Sequence, residues 1–464
     1  MSQRKHQNRQ RTKAAAAAAA TAGALGGLVH PHAAGIDVGA KELVAAIAPG
    51  SLAGPQVRTF STFTGGLLAL RDWLLAAGTK TVAMESTGNY WLCICALLED
   101  AGIEVCLVNA RHVKGVPGKK TDVCDALWLQ QLHAAGLLRG SFRPRKEILP
   151  LRYLMRHRQD LIAQAGQQVQ LMQKVLTEMN LHIHHVFSDV DGVSAQAIIT
   201  AILAGERDAD KLARLRDRRC RSSLDKVKAA LVGDYREEYL FVLRQCQQRW
   251  QQLCTALLEC DQELATRTAA LTSITDAPLP AAPATQRRVQ KNMPLCLPIY
   301  SEAHRLLGVD LSAVPGISGG VLCVLVSEVG TGTHLREKFR SAEAFASWLG
   351  LCPDNRISGG RILKAGTRKV CNRIANILRM AAQALSRADG PMGDYVRRFK
   401  GRLGKAEGIV AGAHKLARII WALVTTGESY DEKKAFQLTP ASAARRLKHL
   451  QNQAKALNMQ LIPA

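Results

Sequence analysis

The sequence predicts an α/β unit built on a mixed sheet, then a helical middle, then a mainly helical C-terminal unit. Three observations predict this order. β-rich runs open the ordered part of the chain, helix-like and strand-like runs alternate up to about residue 145, and beyond that apolar residues recur every three or four positions. Residues 1–32 stand apart. "MSQRKHQNRQRTK" and "AAAAAAATAGALGGLV" imitate the charged and apolar regions of a signal peptide, but the apolar part is mostly alanine and reads as a low-complexity tail. No run is expected to be apolar enough to cross a membrane.

Within residues 33–145, "AAGIDVG" (33–39), "KELVAAIA" (41–48) and "VRTFSTF" (57–63) read as strands, and "LLALRDWLLAAG" (67–78) has helical spacing. The strand "TVAME" (81–85), the helix "YWLCICALLEDAG" (90–102), the strand "EVCLVNA" (104–110) and a helix opening at Asp122 follow. Three strands and then alternating helix and strand describe a mixed sheet with helices packed on it; the ribonuclease-H-like layout is one such fold.

Residues 146–271 change period. Ala165, Val169, Met172, Leu176 and Met179 are spaced by four and three, and Leu243, Cys246, Trp250, Leu253, Leu257, Cys260 and Leu264 keep that alternation for three heptads, a coiled-coil seam. Cysteine and tryptophan on the seam suit a simple parallel zipper poorly, which leaves an antiparallel hairpin, within or between subunits, equally open. Residues 181–232 read as an irregular helical insertion. Alanine and proline from Thr272 to Pro298 predict a linker, taken to extend over 272–304.

The last unit is expected over 305–435, with a tail at 436–464. Its "AVPGISGGVLCVLVSEVG" (313–330) sets a Pro-Gly turn and two glycines before an apolar helix, which is either an amide cradle for a phosphate or a plain helix start. The helix "SAEAFASWLG" (341–350), the loop "LCPDNRISGGRILKAGTRK" (351–369) and the helix "VCNRIANILRMAAQAL" (370–385) complete the reading.

Charge narrows the function. Lys and Arg number 62 against 38 Asp and Glu, a formal charge of +24 with a pI near 9.8, which calls for a polyanionic partner, most simply nucleic acid. Between Arg356 and Arg418 fifteen basic residues face three acids, half of the net charge. The twelve cysteines include no CxxC pair, so they predict neither a zinc knuckle nor a disulfide scaffold, but small buried apolar residues in a reducing cytosol.

The acids are placed more pointedly. Asp37 in "GIDVG" and Glu85 in "VAMESTG" end strands where Val or Ile is the ordinary choice, and "KKTDVCDALWLQ" (119–130) puts Asp122 and Asp125 three apart at a helix start. Singly each is explained as a cap or surface charge. Together they repel, at a cost of several kcal/mol that Mg²⁺ relieves because it takes oxygen ligands and bridges phosphates. Two such ions about 4 Å apart would activate a nucleophile and stabilise a leaving oxygen.

"GIDVGAKELVAAIA", "MESTGNYW" and "GKKTDVCDALWLQQL" resemble the three acidic motifs of the DEDD transposases of bacterial insertion sequences, family 110. "VPGISGG" and "FASWLGLCPDNRISGGRILKAGTRKVCNRIANILRMAA" resemble their C-terminal transposase domain, so the resemblance runs from about Ala33 to Tyr430 and is weakest in the middle helices. It implies a RuvC-like DEDD domain joined through a coiled coil to a serine-bearing domain, and DNA recombination directed by a structured bridge RNA. It implies metal-binding acids Asp37, Glu85, Asp122 and Asp125 holding Mg²⁺, in two ions, and Ser358 as nucleophile. Lys119, Lys120, Arg356, Arg361, Lys364, Arg368, Lys369 and Arg373 are the expected nucleic-acid contacts, with the glycines after Ser358 letting backbone approach a phosphate. No histidine lies near Ser358 in sequence, so the acids would serve it across a subunit interface of a homodimer or tetramer. Donor and target DNA and a noncoding RNA are the expected partners, and the bacterial cytoplasm, at the nucleoid, the expected location. Taken alone, Ser358 is also a plausible turn residue, and the same residues admit a junction nuclease using metal-activated water or a non-enzymatic basic nucleic-acid-binding protein. A sugar-kinase reading of "GIDVG" fits poorly with a charge of +24.

Overall fold

The computed structural model describes residues 28–51, 56–85, 88–109, 122–282, 286–364, 366–437 and 440–460. They form two compact units, one ending at Arg143 and the other beginning at Pro144. Most of the expected N-terminal tail lies outside the described residues.

The first unit is a five-stranded mixed sheet in the order β3-β2-β1-β4-β5, a ribonuclease-H/RuvC-like layout. β1 (Ala33–Val38), β2 (Glu42–Ala46) and β3 (Val57–Ser61) form an antiparallel meander, and β4 (Thr81–Glu85) and β5 (Glu104–Val108) continue it in parallel. Parallel neighbours need crossovers, and these are α1 (Thr64–Ala76) and α2 (Trp91–Asp100). Side chains alternate across β1: Ala34, Ile36 and Val38 enter the core that α1 and α2 cover with Leu70, Trp73, Leu74, Ile94 and Leu98. The opposite face receives α3 (Asp122–Ala134), where Ala126 packs on Val44 and Ala46.

The second unit starts with α4 (Leu149–Glu178), which lies antiparallel to α9 (Glu237–Ala269) within one chain. The direction follows from the contacts. Leu154 and Arg158 meet Cys260 and Asp261 at one end, while Met172, Val175 and Leu176 share a cluster with Leu240, Leu243 and Cys246 at the other. The insertion between them comprises α5 (Ile183–Val186), α6 (Val193–Leu203), α7 (Ala209–Arg214) and α8 (Leu224–Ala229), and it shares that cluster through Ile198, Ile199, Ile202, Leu212 and Val227. The stretch expected as linker is sewn down: Arg305 donates to the carbonyls of Thr268 (2.8 Å) and Leu271 (2.7 Å), and Arg287 pairs with Asp310 at 2.7 Å. α10 (Ile299–Leu307) begins inside that stretch.

α11 (Gly319–Val329) is buried almost all round, as its apolar run Val321–Val326 requires, with Glu328 near its end held by arginines. The phosphate-cradle alternative for its start finds no support, because the Gly319 N–H donates to the Tyr300 hydroxyl (3.1 Å) and Met293 and Ile299 crowd its Cα. α12 (Gly332–Lys338), α13 (Ala342–Trp348), α14 (Arg373–Leu385), α15 (Pro391–Leu403), α16 (Lys405–Thr426) and α17 (Glu432–Phe436) follow, and α18 (Pro440–Ala456) occupies the expected tail. Two expectations need correction. α16 is long and apolar enough to cross a membrane, but half of its apolar window is buried, as in a core helix packed against α13, α14 and α15. The cysteines are all free, yet Cys93, Cys124 and Cys371 are exposed instead of buried, since each sits on the solvent side of a helix or loop.

Candidate functional site

The acids are positioned by strand register. Ile36 of β1 pairs with Met84 of β4 in parallel, so Asp37 and Glu85 are the next residues along adjacent strands, on the same face and about 5 Å apart at their backbones. Both are half-buried at the carboxyl ends of parallel strands, where open α/β sheets bind ligands. Asp37 also stands opposite Val44 of β2, and Val44 packs with Ala126 and Val123 of α3.

α3 runs antiparallel to β1 in matched steps. Gln130 donates to the Ala33 carbonyl (3.3 Å), and Gly35 lies so close to Ala126 and Gln130 that a Cβ there would stand 2.4 Å from backbone atoms of both. Four helical residues rise about 6 Å and two strand residues about 6.6 Å, so the same step brings the first turn of α3, whose Val123 packs on Val44, level with Asp37. Asp125, half-buried, lies one turn along α3 from Asp122, which is exposed. The far end of α3 is pinned by His133, which is buried, meets the Thr81 hydroxyl at 2.8 Å and stacks on His30 at 5.0 Å. Burial, aided by His30, pushes its pKa down to about 4, so it stays neutral. The sequence reading missed Gly35, Gln130 and His133, although a glycine between the apolar residues of "AGIDVG" is the signal of a close approach. Asp37 and Glu85 are neighbours by register and Asp122 and Asp125 share the first turn of α3, but the described residues do not gather three of these carboxylates into one ligand cluster; as oxygen donors they are of the type Mg²⁺ takes. Lys119 and Lys120 lie outside the described residues.

Ser358 lies on a hairpin where the sequence reading expected a loop. β6 (Arg356–Ser358) and β7 (Arg361–Lys364) are antiparallel, and Gly359 (φ 54°) and Gly360 (φ 75°) form the two-residue turn with Ser358 opposite Arg361. Ser358, both glycines, Arg361 and Lys369 are exposed. The base is anchored by an Asp354 N–H bond to the Gly366 carbonyl (2.7 Å) and by Arg368, which donates to the carbonyl and hydroxyl of Ser347. Arg373 turns inward, donating to Gln159 and lying 4.0 Å from the buried Glu328, which also pairs with Arg152 and Arg156 at 2.9 Å. Arg368 and Arg373, expected as phosphate contacts, thus brace the hairpin and α14.

α15 presents a feature the sequence reading passed over. Tyr395 and Phe399, one turn apart with ring centroids 4.7 Å apart, carry Arg398 over both rings at 5.5 Å and Arg402 over Phe399 at 5.6 Å. The arginines are exposed, and interleaved aromatic and guanidinium groups are what nucleic-acid surfaces use. Nearby on α16, burial and Arg418 hold the pKa of Lys415 below the usual lysine value.

No curated protein matches the chain in sequence. Two family models do, and they fall on the two places just described. Residues 34–181, containing the sheet and α3, match the DEDD transposase model of IS110 elements, described as "Transposase". Residues 310–397, containing the serine hairpin, match the "Transposase IS116/IS110/IS902 family". Acid-bearing sheet and serine hairpin therefore come from one kind of protein, and the chain belongs to the IS110 family of transposases.

Proposed function

We propose that this transposase recombines DNA through a phosphoserine bond at Ser358, with Mg²⁺ held by Asp37, Glu85, Asp122 and Asp125, and with its sites chosen by a structured RNA from the element. The observation that carries the acid half is the register that sets Asp37 beside Glu85 and lays the first turn of α3 over them. Bound there, Mg²⁺ would neutralise the carboxylates and polarise a phosphate. The serine half rests on an exposed hydroxyl beside two glycines that leave a DNA backbone room to approach. In the reaction the Ser358 oxygen forms a bond to phosphorus, a strand oxygen leaves and takes a proton, and the hydroxyl of an exchanged strand later reverses the step. One phosphodiester is broken for each one formed, so no external energy is required.

The RNA part rests on an imbalance. A charge of +24 supplies abundant phosphate contacts, but such contacts do not discriminate sequence. The resemblance to this family points to pairing with a guide as the source of choice, and homo-oligomers would bring one subunit's serine to another's acids. The test is recombination between donor and target plasmids, with and without RNA transcribed from the flanks of the element. Asp122→Asn and Asp125→Asn should each abolish exchange while thermal stability without metal holds or rises slightly, since a repulsion is removed. Full and specific recombination after complete RNase treatment would overturn the guide; parental rates in both Asn variants would overturn the metal assignment.

A further inference from the structure

The helix α4 ends in a tight left-handed turn. Asn180 takes φ 57°, its N–H donates to the Thr177 carbonyl (3.0 Å), and the Leu181 N–H donates to the Leu176 carbonyl (2.7 Å), the Schellman pattern in which Asn is tolerated. The turn delivers three imidazoles together. His182 stacks on His185 with centroids 4.9 Å apart, and His184 meets His185 at 4.3 Å and His182 at 5.9 Å. One ring nitrogen from each lies within 4.8 Å of the other two.

Two of these rings leave a nitrogen without a use. Nδ1 of His182 and Nδ1 of His184 are hidden from solvent and have no hydrogen-bond partner among the described residues. The other nitrogen of His182 lies 2.9 Å from the Asn180 side-chain oxygen; that oxygen only accepts, so Nε2 carries the proton and the Nδ1 lone pair remains. This is the arrangement of a metal-ligating histidine oriented by an outer partner.

We propose that His182, His184 and His185 form a site for a divalent first-row transition ion, best suited to zinc, at the turn joining α4 to the helical insertion. Nitrogens about 2.0–2.1 Å from a tetrahedral zinc stand roughly 3.4 Å apart, so small side-chain rotations close the trio around the ion. Three histidines leave a fourth position for water. Imidazole donors separate this site from the oxygen-only acids, which select magnesium. The His182 N–H also donates to the carbonyl of Ala230 at the end of α8 (3.0 Å), and Ile183 and Val186 of α5 are buried in the insertion core. A bound ion therefore pins the insertion to the end of α4.

The test uses the full chain, stripped with chelator and dialysed into excess Mg²⁺ to fill the carboxylate site, then titrated with Co²⁺ and Zn²⁺. The expected result is about one tightly held ion per chain, with cobalt d–d bands and no thiolate charge-transfer band, and with α5 and α8 amides slowed in hydrogen exchange by zinc. His184→Gln and His185→Gln should each weaken binding at least tenfold, and Asn180→Gly, which keeps the left-handed turn, by about 10- to 100-fold. Circular dichroism of the metal-free variants establishes that they are folded, and the Asn180→Gly variant alters neither ligand nor core. No ion retained over Mg²⁺, a thiolate band, or affinity unchanged in both histidine variants would overturn the site.

Discussion

Gly35 carries no charge, yet a methyl group on it would meet the Ala126 carbonyl oxygen and the Gln130 amide nitrogen, each at 2.4 Å. Those are backbone atoms and cannot swing aside. Gly35→Ala must therefore move α3 or β1 by about 1 Å, an overpacking that costs roughly 1–3 kcal/mol. Because α3 carries Asp122 and Asp125, a displacement of that size should lower Mg²⁺-dependent strand cleavage by about a hundredfold. Gly65, at the start of α1, has open space around its Cα, and Gly65→Ala should leave cleavage unchanged. Cleavage assayed across a Mg²⁺ titration checks both; parental behaviour in Gly35→Ala would show that this contact does not set the acids.

At the scale of elements, two buried polar contacts stand out, one behind the acids and one in the long helix pair. His133 anchors α3 in its neutral form, with a pKa near 4 in the fold. An unfolded histidine titrates near 6.5, so between about pH 6.5 and 4 the unfolded chain binds the extra proton, and stability falls as pH falls. From pH 7 to pH 5 this group should remove about 2 kcal/mol from the stability of the N-terminal unit, a loss that His133→Gln should abolish in urea unfolding at the two pH values. The second contact is Arg158 with Asp261, both almost fully buried, with Arg158 also donating to the Asn292 carbonyl (2.7 Å) and the Leu295 N–H donating to Asp261 (2.8 Å). Asp261→Ala would strand a buried guanidinium and should destabilise the helix pair by about 3–5 kcal/mol, whereas Arg158→Met with Asp261→Leu should recover most of that loss.

The elements themselves were legible where burial imposes a period. β1, β2, β3 and β4 and the opening of α3 at Asp122 stand where alternation and the apolar-then-glycine grammar put them. The sequence around Ser358 reads as a loop, and two of the hairpin's apolar residues, Ile357 and Leu363, are 63% and 70% exposed, so no clear buried alternation marks it as a strand pair. The position of Asp37 and Glu85 near strand ends was legible from residue type and the apolar-then-glycine pattern. Their register was not, because the approach of Gly35 to Ala126 joins residues far apart in the chain. The histidine trio was passed over for a related reason: its meaning depends on which ring nitrogens are hidden.

For the whole molecule, the acids and Ser358 belong to separate compact units of the chain, and most of the basic excess lies in the unit that carries the serine. Binding to any nucleic acid should therefore weaken steeply as salt rises, whereas a choice of site made by the proposed guide RNA should not. The chemistry proposed to join these parts is a serine ester, which a suicide substrate would trap. The protein, charged with RNA from the element's flanks and Mg²⁺, is given duplex DNA nicked so that the released strand end diffuses away, then denatured and examined for covalently attached DNA. A single adduct mapping to the peptide that contains Ser358, absent from a Ser358→Ala variant that still binds DNA and RNA, is the expected result. An adduct of equal yield in Ser358→Ala would contradict it and place the nucleophile elsewhere.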